Sequence, residues 1–70
     1  MGYTYLGGSM MYLKFIGLNG SLGLVKNKIY FVTSEINEHY IILRIHGVHG
    51  KTVMCPYETL EKVLENWQVC

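Results

Sequence analysis

Charge is scarce in this chain, and so are proline and cysteine. Six basic and five acidic residues leave a net charge of +1 in 70 residues. The long-range field is therefore weak and gives no general argument for nucleic acid. Half of the residues are hydrophobic, which excludes a disordered chain, since disorder needs low hydrophobicity and high net charge. The two cysteines, Cys55 and Cys70, exclude the dense disulfide framework of small secreted domains and the paired cysteines of a structural zinc site. They read as reduced thiols in a cytosolic protein. No apolar run approaches the roughly 20 residues needed to span a membrane. No catalytic motif, metal-ligand set or phosphate loop stands in the sequence. Seventy residues make one domain and leave no room for a second.

A central block of β-forming residues is present instead. Lys28 to Thr33 and His39 to Ile45 are rich in β-branched and aromatic side chains and flank a polar break at 34–38. That is the pattern of an antiparallel hairpin. Tyr12-Leu13-Lys14-Phe15-Ile16 reads as an earlier strand and Thr52-Val53-Met54-Cys55 as a short later one. Gly7-Gly8-Ser9 followed by two methionines reads as the end of a flexible leader over residues 1–10, with the domain at 11–70. Gly17, Gly20 and Gly23 with Asn19 call for positive φ angles in the loop after the first strand. A tight turn is expected at Lys26-Asn27, because asparagine tolerates the left-handed conformation. His46 to Lys51 reads as a glycine-rich hairpin tip.

Pro56 suits the end of a strand and the first turn of a helix. Tyr57, Leu60, Val63, Leu64 and Trp67 recur at helical spacing. The spacing predicts an amphipathic helix over about 56–67, with a Glu58–Lys62 pair on its outer side. Gln68-Val69-Cys70 is left as a strand fragment or a frayed end. The order is β-β-β-β-α, and a sheet this small must curl to bury one face.

Leu24-Val25-Lys26-Asn27-Lys28-Ile29-Tyr30-Phe31-Val32 resembles a segment found in short proteins of bacteriophages and Gram-positive bacteria. Those proteins carry a Gly-Leu-Thr-x-Gly-Lys-x-Tyr-x-Val type stretch, a Tyr-x-Ile strand, a hairpin and a Tyr-Pro-like ending. They look like Src-homology-3-like barrels. Tyr40-Ile41-Ile42 and Cys55-Pro56-Tyr57 fall at the matching places. The resemblance covers roughly residues 11 to 60, through motifs of low specificity. Asn27 stands where glycine is usual, and the final helix is longer. The resemblance implies a small antiparallel Src-homology-3-like barrel or curled sheet, mainly β, capped by a C-terminal helix. It implies a binding or accessory protein, often of phage origin, with no enzyme activity and no cofactor.

Other constellations are weighed against plainer readings. His46, His49, His39 and Cys55 supply nitrogen and sulfur, but His-Gly-Val-His-Gly suits a solvated turn better than a metal site, so no metal is expected. Cys55 reads as a buried small hydrophobe rather than a nucleophile. Glu58, Glu61 and Glu65 read as a solvated helical stripe. The central strands are apolar on both faces, and one face suffices for a core. The second face marks an interface, with Phe31, Tyr40, Ile42 and Tyr30 as its expected residues. The leading expectation is a non-enzymatic protein-binding accessory factor that inhibits or modulates a host protein, or a homodimer using the same face. The alternative is a nucleic-acid-binding module using Lys14, Lys26, Lys28 and Arg44 with the tyrosines. No membrane partner is expected.

Overall fold

The structure, a computed structural model, describes residues 9–70. Residues 1–8 of the expected leader lie outside the described residues. Its last two residues, Ser9 and Met10, open the first strand. The described chain is mainly β, in the order β1 (Ser9–Phe15), β2 (Ile29–Ile36), β3 (Ile41–Val48), β4 (Lys51–Tyr57), α1 (Leu60–Asn66) and β5 (Trp67–Val69). A single 3-10 turn, Ser21–Gly23, interrupts the β1–β2 loop.

The five strands form one antiparallel sheet in the order β4-β3-β2-β1-β5. Side chains alternate across each strand. Leu13 and Phe15, Tyr30 and Val32, Leu43 and Ile45, and Cys55 face inward and are buried. Their neighbours Tyr12, Phe31, Ile42 and Met54 therefore face outward. β4 and β5 are the two edges, and they do not pair with each other. The sheet is thus curled and open, the second of the two expected forms, rather than a closed barrel.

β3 runs three residues further than the sequence pattern suggests, and a bulge explains why. The register shifts by one between Ile45 opposite Val53 and Val48 opposite Lys51. Gly47 takes φ 79 there, a conformation glycine adopts without strain. The extra residue turns Val48 back to the core side, where it is 4% exposed. What reads as a tip from His46 is strand up to Val48, and the turn itself is His49-Gly50. The expected turn at Lys26-Asn27 is present, with Asn27 at φ 72 and the Lys28 N–H donating to the Val25 carbonyl at 3.2 Å.

The C-terminal helix is present but shorter than the predicted 56–67. Pro56 and Tyr57 belong to β4, opposite Ile42 and Ile41 of β3. A strand edge tolerates proline because the missing N–H faces solvent. The helix begins only where Thr59 caps it, its hydroxyl accepting from the Lys62 N–H at 3.2 Å; such a cap contributes about 1 kcal/mol. Trp67 ends it by turning extended and pairing with Phe15 in β5. Glu58 lies outside α1, so the predicted Glu58–Lys62 pair is replaced by Lys62–Glu65 at 3.8 Å. Exposed on both sides, that pair contributes little.

Trp67 is the centre of the core. It is 1% exposed, tilted against Phe15 at 5.0 Å and edge-on to Tyr30 at 6.2 Å between ring centroids. Its Nε1–H donates to the Tyr57 hydroxyl at 3.0 Å. That bond links edge β5 to edge β4 and holds the curl where backbone pairing does not. Trp67→Ala is expected to cost about 3–5 kcal/mol, as for a large buried aromatic. Tyr57→Phe, which strips the indole N–H of its partner, is expected to cost about 1–3 kcal/mol. Guanidinium unfolding of the two variants and their double mutant checks both values; a stability unchanged in Tyr57→Phe would remove the side-chain closure of the sheet.

Candidate functional site on the outer face of the sheet

The register decides what the outer face presents. Directly paired residues in an antiparallel ladder share a face. Tyr12 of β1 lies opposite Phe31 of β2, and Phe31 lies opposite His46 of β3. The three rings form a row across three strands, with centroids 5.4 Å apart from Tyr12 to Phe31 and 5.5 Å from Phe31 to His46. The imidazole is held on both sides: Nε2 lies 3.0 Å from the Thr33 hydroxyl and Nδ1 3.2 Å from the Thr52 hydroxyl. Met10, Thr33, Arg44 and Met54 form the next row. Glu35, Ile42 and Pro56 form the row after it. On the other side of the rings, Lys14 lies opposite Ile29.

Tyr12 is 61% exposed, Met10 69% and Met54 54%. Phe31 is 37% exposed, being covered in part by its two ring neighbours. Arg44 crosses the face to Glu35 at 2.9 Å. The centre of the face is therefore aromatic and thioether surface, with its main ion pair self-contained.

The expected interface residues separate in space. Phe31 and Ile42 share the outer face, with the Thr33–Arg44 row between them. Tyr40 is exposed in the 37–40 turn, where its N–H lies 3.2 Å from Asn37 Oδ1. Tyr30 does not belong with them: strand alternation turns it inward, where it is 4% exposed and its hydroxyl accepts from the Val25 N–H at 2.9 Å. The four cations of the nucleic-acid alternative also scatter. Lys14 and Arg44 sit on the outer face, Arg44 already paired with Glu35. Lys26 lies in the β1–β2 loop, and Lys28 holds its ammonium 5.2 Å from the Tyr30 ring centroid.

Tyr12 and His46 are the members of the ring row that pattern reading did not join to Phe31. The signal was present in the turn. With Ile36 opposite Ile41, the ladder places Phe31 opposite His46 without further information. The turn length needed for that count comes from Asn37, whose side chain accepts from the His39 and Tyr40 N–H groups at 3.0 and 3.2 Å, an Asx-type turn.

No family model matches the chain, no curated protein matches it, and no solved structure matches it. The site therefore stands on its own geometry.

The other constellations come apart in the fold. His46 points outward from β3, Cys55 inward from β4, His49 lies in the β3–β4 turn and His39 at the opposite end. Among the described residues no three His, Cys, Asp or Glu side chains converge on a metal-sized site. Beneath the sheet lies an apolar cavity of about 170 Å³ between the strands and α1. Leu13, Leu43, Val63 and Trp67 line its inner wall, while Ile36 and Leu64 stand at its mouth.

Burial pushes the Cys55 thiol above its ordinary range, partly opposed by a hydrogen bond with Tyr57, and burial likewise raises the Tyr57 hydroxyl. Both groups hold their protons more tightly folded than unfolded, so their contribution is complete below the unfolded values. It is lost as pH rises through the folded ones. Unfolding free energy is expected to fall from about pH 8.5 upward, through the thiol and then the phenol range. Cys55→Ala should flatten the first part of that decline. Denaturant titrations from neutral to alkaline pH check this; a stability that rises over that range would contradict it.

Proposed function

We propose that the protein is a small non-enzymatic binding module that docks a protein partner on the outer face of its sheet. The observation that carries this reading is the Tyr12–Phe31–His46 row, flanked by Met10, Met54 and Ile42. The buried core lies on the other side of the sheet, and these rings are not part of it. Aromatic and methionine side chains are the enriched anchors of protein interfaces. Strand pairing makes the row rigid, so little ordering cost falls due on binding.

The expected use, modulation of a host protein inside a bacterial cell, is a proposal supported by the resemblance at residues 24–32 and by this face. A second copy of the chain is the competing occupant, at about 800 Å² per partner for a standard interface. The nucleic-acid reading has less support on this face, because Arg44 is paired with Glu35, Lys26 lies in the β1–β2 loop and Lys28 over the Tyr30 ring, which leaves Lys14 as the one unpaired member of the named set there.

Phe31→Ser tests the site. Truncating a central anchor is expected to weaken association by about 30-fold or more. The thermal midpoint should change little, since Phe31 lies outside the core. Light scattering on the purified protein and affinity capture from a bacterial lysate, each with wild type and Phe31→Ser, separate self-association from a foreign partner. If neither the solution mass nor any captured protein responds to Phe31→Ser, the outer face is not the interface.

A further inference from the structure

One end of the sheet gathers features that lie far apart in sequence. β1 ends and β2 begins there, and the Phe15 N–H donates to the Lys28 carbonyl at 2.9 Å. The β3–β4 turn reaches the same end, because Phe31 near the start of β2 pairs with His46 near the end of β3. The loop at 16–28 rests on that turn: a Cβ built on Gly23 would stand 3.1 Å from the His49 ring.

This end carries Lys26, Lys28, His49 and Lys51, against one carboxylate, Glu65, in the last turn of α1, which meets the loop where the Ile16 N–H donates to the Asn66 carbonyl at 2.8 Å. The five acidic residues, Glu35, Glu38, Glu58, Glu61 and Glu65, all lie on the β2–β3 hairpin or in and beside α1. The same loop exposes aliphatic side chains. Leu18 is 79% exposed, the highest among the large hydrophobics of the described residues, and Leu22 is 60% exposed. Leu22 is held at φ 54, a left-handed conformation that a bulky side chain rarely takes. The loop is well pinned all the same. Gly20 N–H donates to Leu24 O at 2.7 Å, Asn27 N–H to Phe15 O at 2.6 Å and Lys26 N–H to Asn19 Oδ1 at 2.8 Å.

We propose that this end of the sheet docks on an anionic phospholipid membrane. Leu18 and Leu22 enter the boundary of the acyl region, and Lys26, Lys28 and Lys51 meet the headgroup phosphates. Two signals, apolar insertion and basic attraction, are what stable but reversible surface binding requires. A nucleic acid would satisfy the lysines and leave the leucines in water. Three lysines against the single carboxylate of Glu65 make the charge complementary to an anionic surface. Absence of a long apolar run bears only on spanning a bilayer, so it does not oppose binding at its surface.

Sedimentation of the full chain with vesicles of phosphatidylcholine containing about one quarter phosphatidylglycerol tests the proposal. Partition into the pellet is expected, falling about tenfold or more on pure phosphatidylcholine or at high salt. Leu18→Ser with Leu22→Asn should lower it about tenfold. Asparagine suits the left-handed backbone, so this variant should keep or raise the thermal midpoint, which separates lost insertion from lost folding. Lys26→Glu with Lys51→Glu should abolish partition. No pelleting with the anionic vesicles at micromolar protein would overturn the proposal. So would partition insensitive to the leucine variant. Binding to a single-stranded oligonucleotide that equals vesicle binding and ignores the leucines would assign the end to nucleic acid instead.

Discussion

The indole of Trp67 meets four separate parts of the chain. It packs on Phe15 at the end of β1 and edge-on to Tyr30 at the start of β2. It terminates α1, and it donates to Tyr57 on the far edge strand. A five-stranded sheet of strands this short has little twist-independent reason to close. The Trp67–Tyr57 bond joins its two edges through side chains, and the helix between them covers the seam with Val63. Because one ring carries both the packing and the closure, the rest of the core is organised around where β5 places it.

That arrangement separates the surface into regions with different chemistry. The inner side of the sheet is spent on the core and on the apolar cavity beside α1. The outer side keeps a row of rings that the fold does not need. The loop end is basic and aliphatic, whereas the hairpin end and helix carry every acidic residue. The net charge of +1 conceals this unevenness, since the acidic hairpin and helix offset the basic loop in the sum while each still acts at short range within a Debye length of about 8 Å.

Much of the fold was legible in the sequence. Alternation from Ile29 and from Ile41, positive φ at Gly20 and Gly23 and the turn at Lys26-Asn27 translate directly into backbone, because strand period and left-handed preference are local properties. The expected polar break at 34–38 instead shrinks to 37–40, since β2 continues to Ile36 and β3 begins at Ile41. The helix was legible in kind and misjudged in length. Its start depends on whether Pro56 and Tyr57 pair with Ile42 and Ile41, a tertiary choice that propensity does not see. The bulge at Gly47 likewise follows from the ladder rather than from any local signal strong enough to read. The face was anticipated through Phe31 and Ile42, but including Tyr30 contradicted strand alternation, and only the register joined Tyr12 and His46 to Phe31.

The sequence by itself determined a β-rich fold with two-faced central strands and an amphipathic helix after them. These follow from composition and from periods of two and near four, which each segment carries alone. Tertiary structure decided which face holds the core, that the sheet stays open with its edges bridged by Tyr57 and Trp67, and which side chains become neighbours. It alone brought His49 against Gly23, in the loop that carries Leu22 and Lys26. The reason is that the curl, and the register beyond what a short turn such as that at Asn37 fixes, are set by contacts between residues distant in sequence.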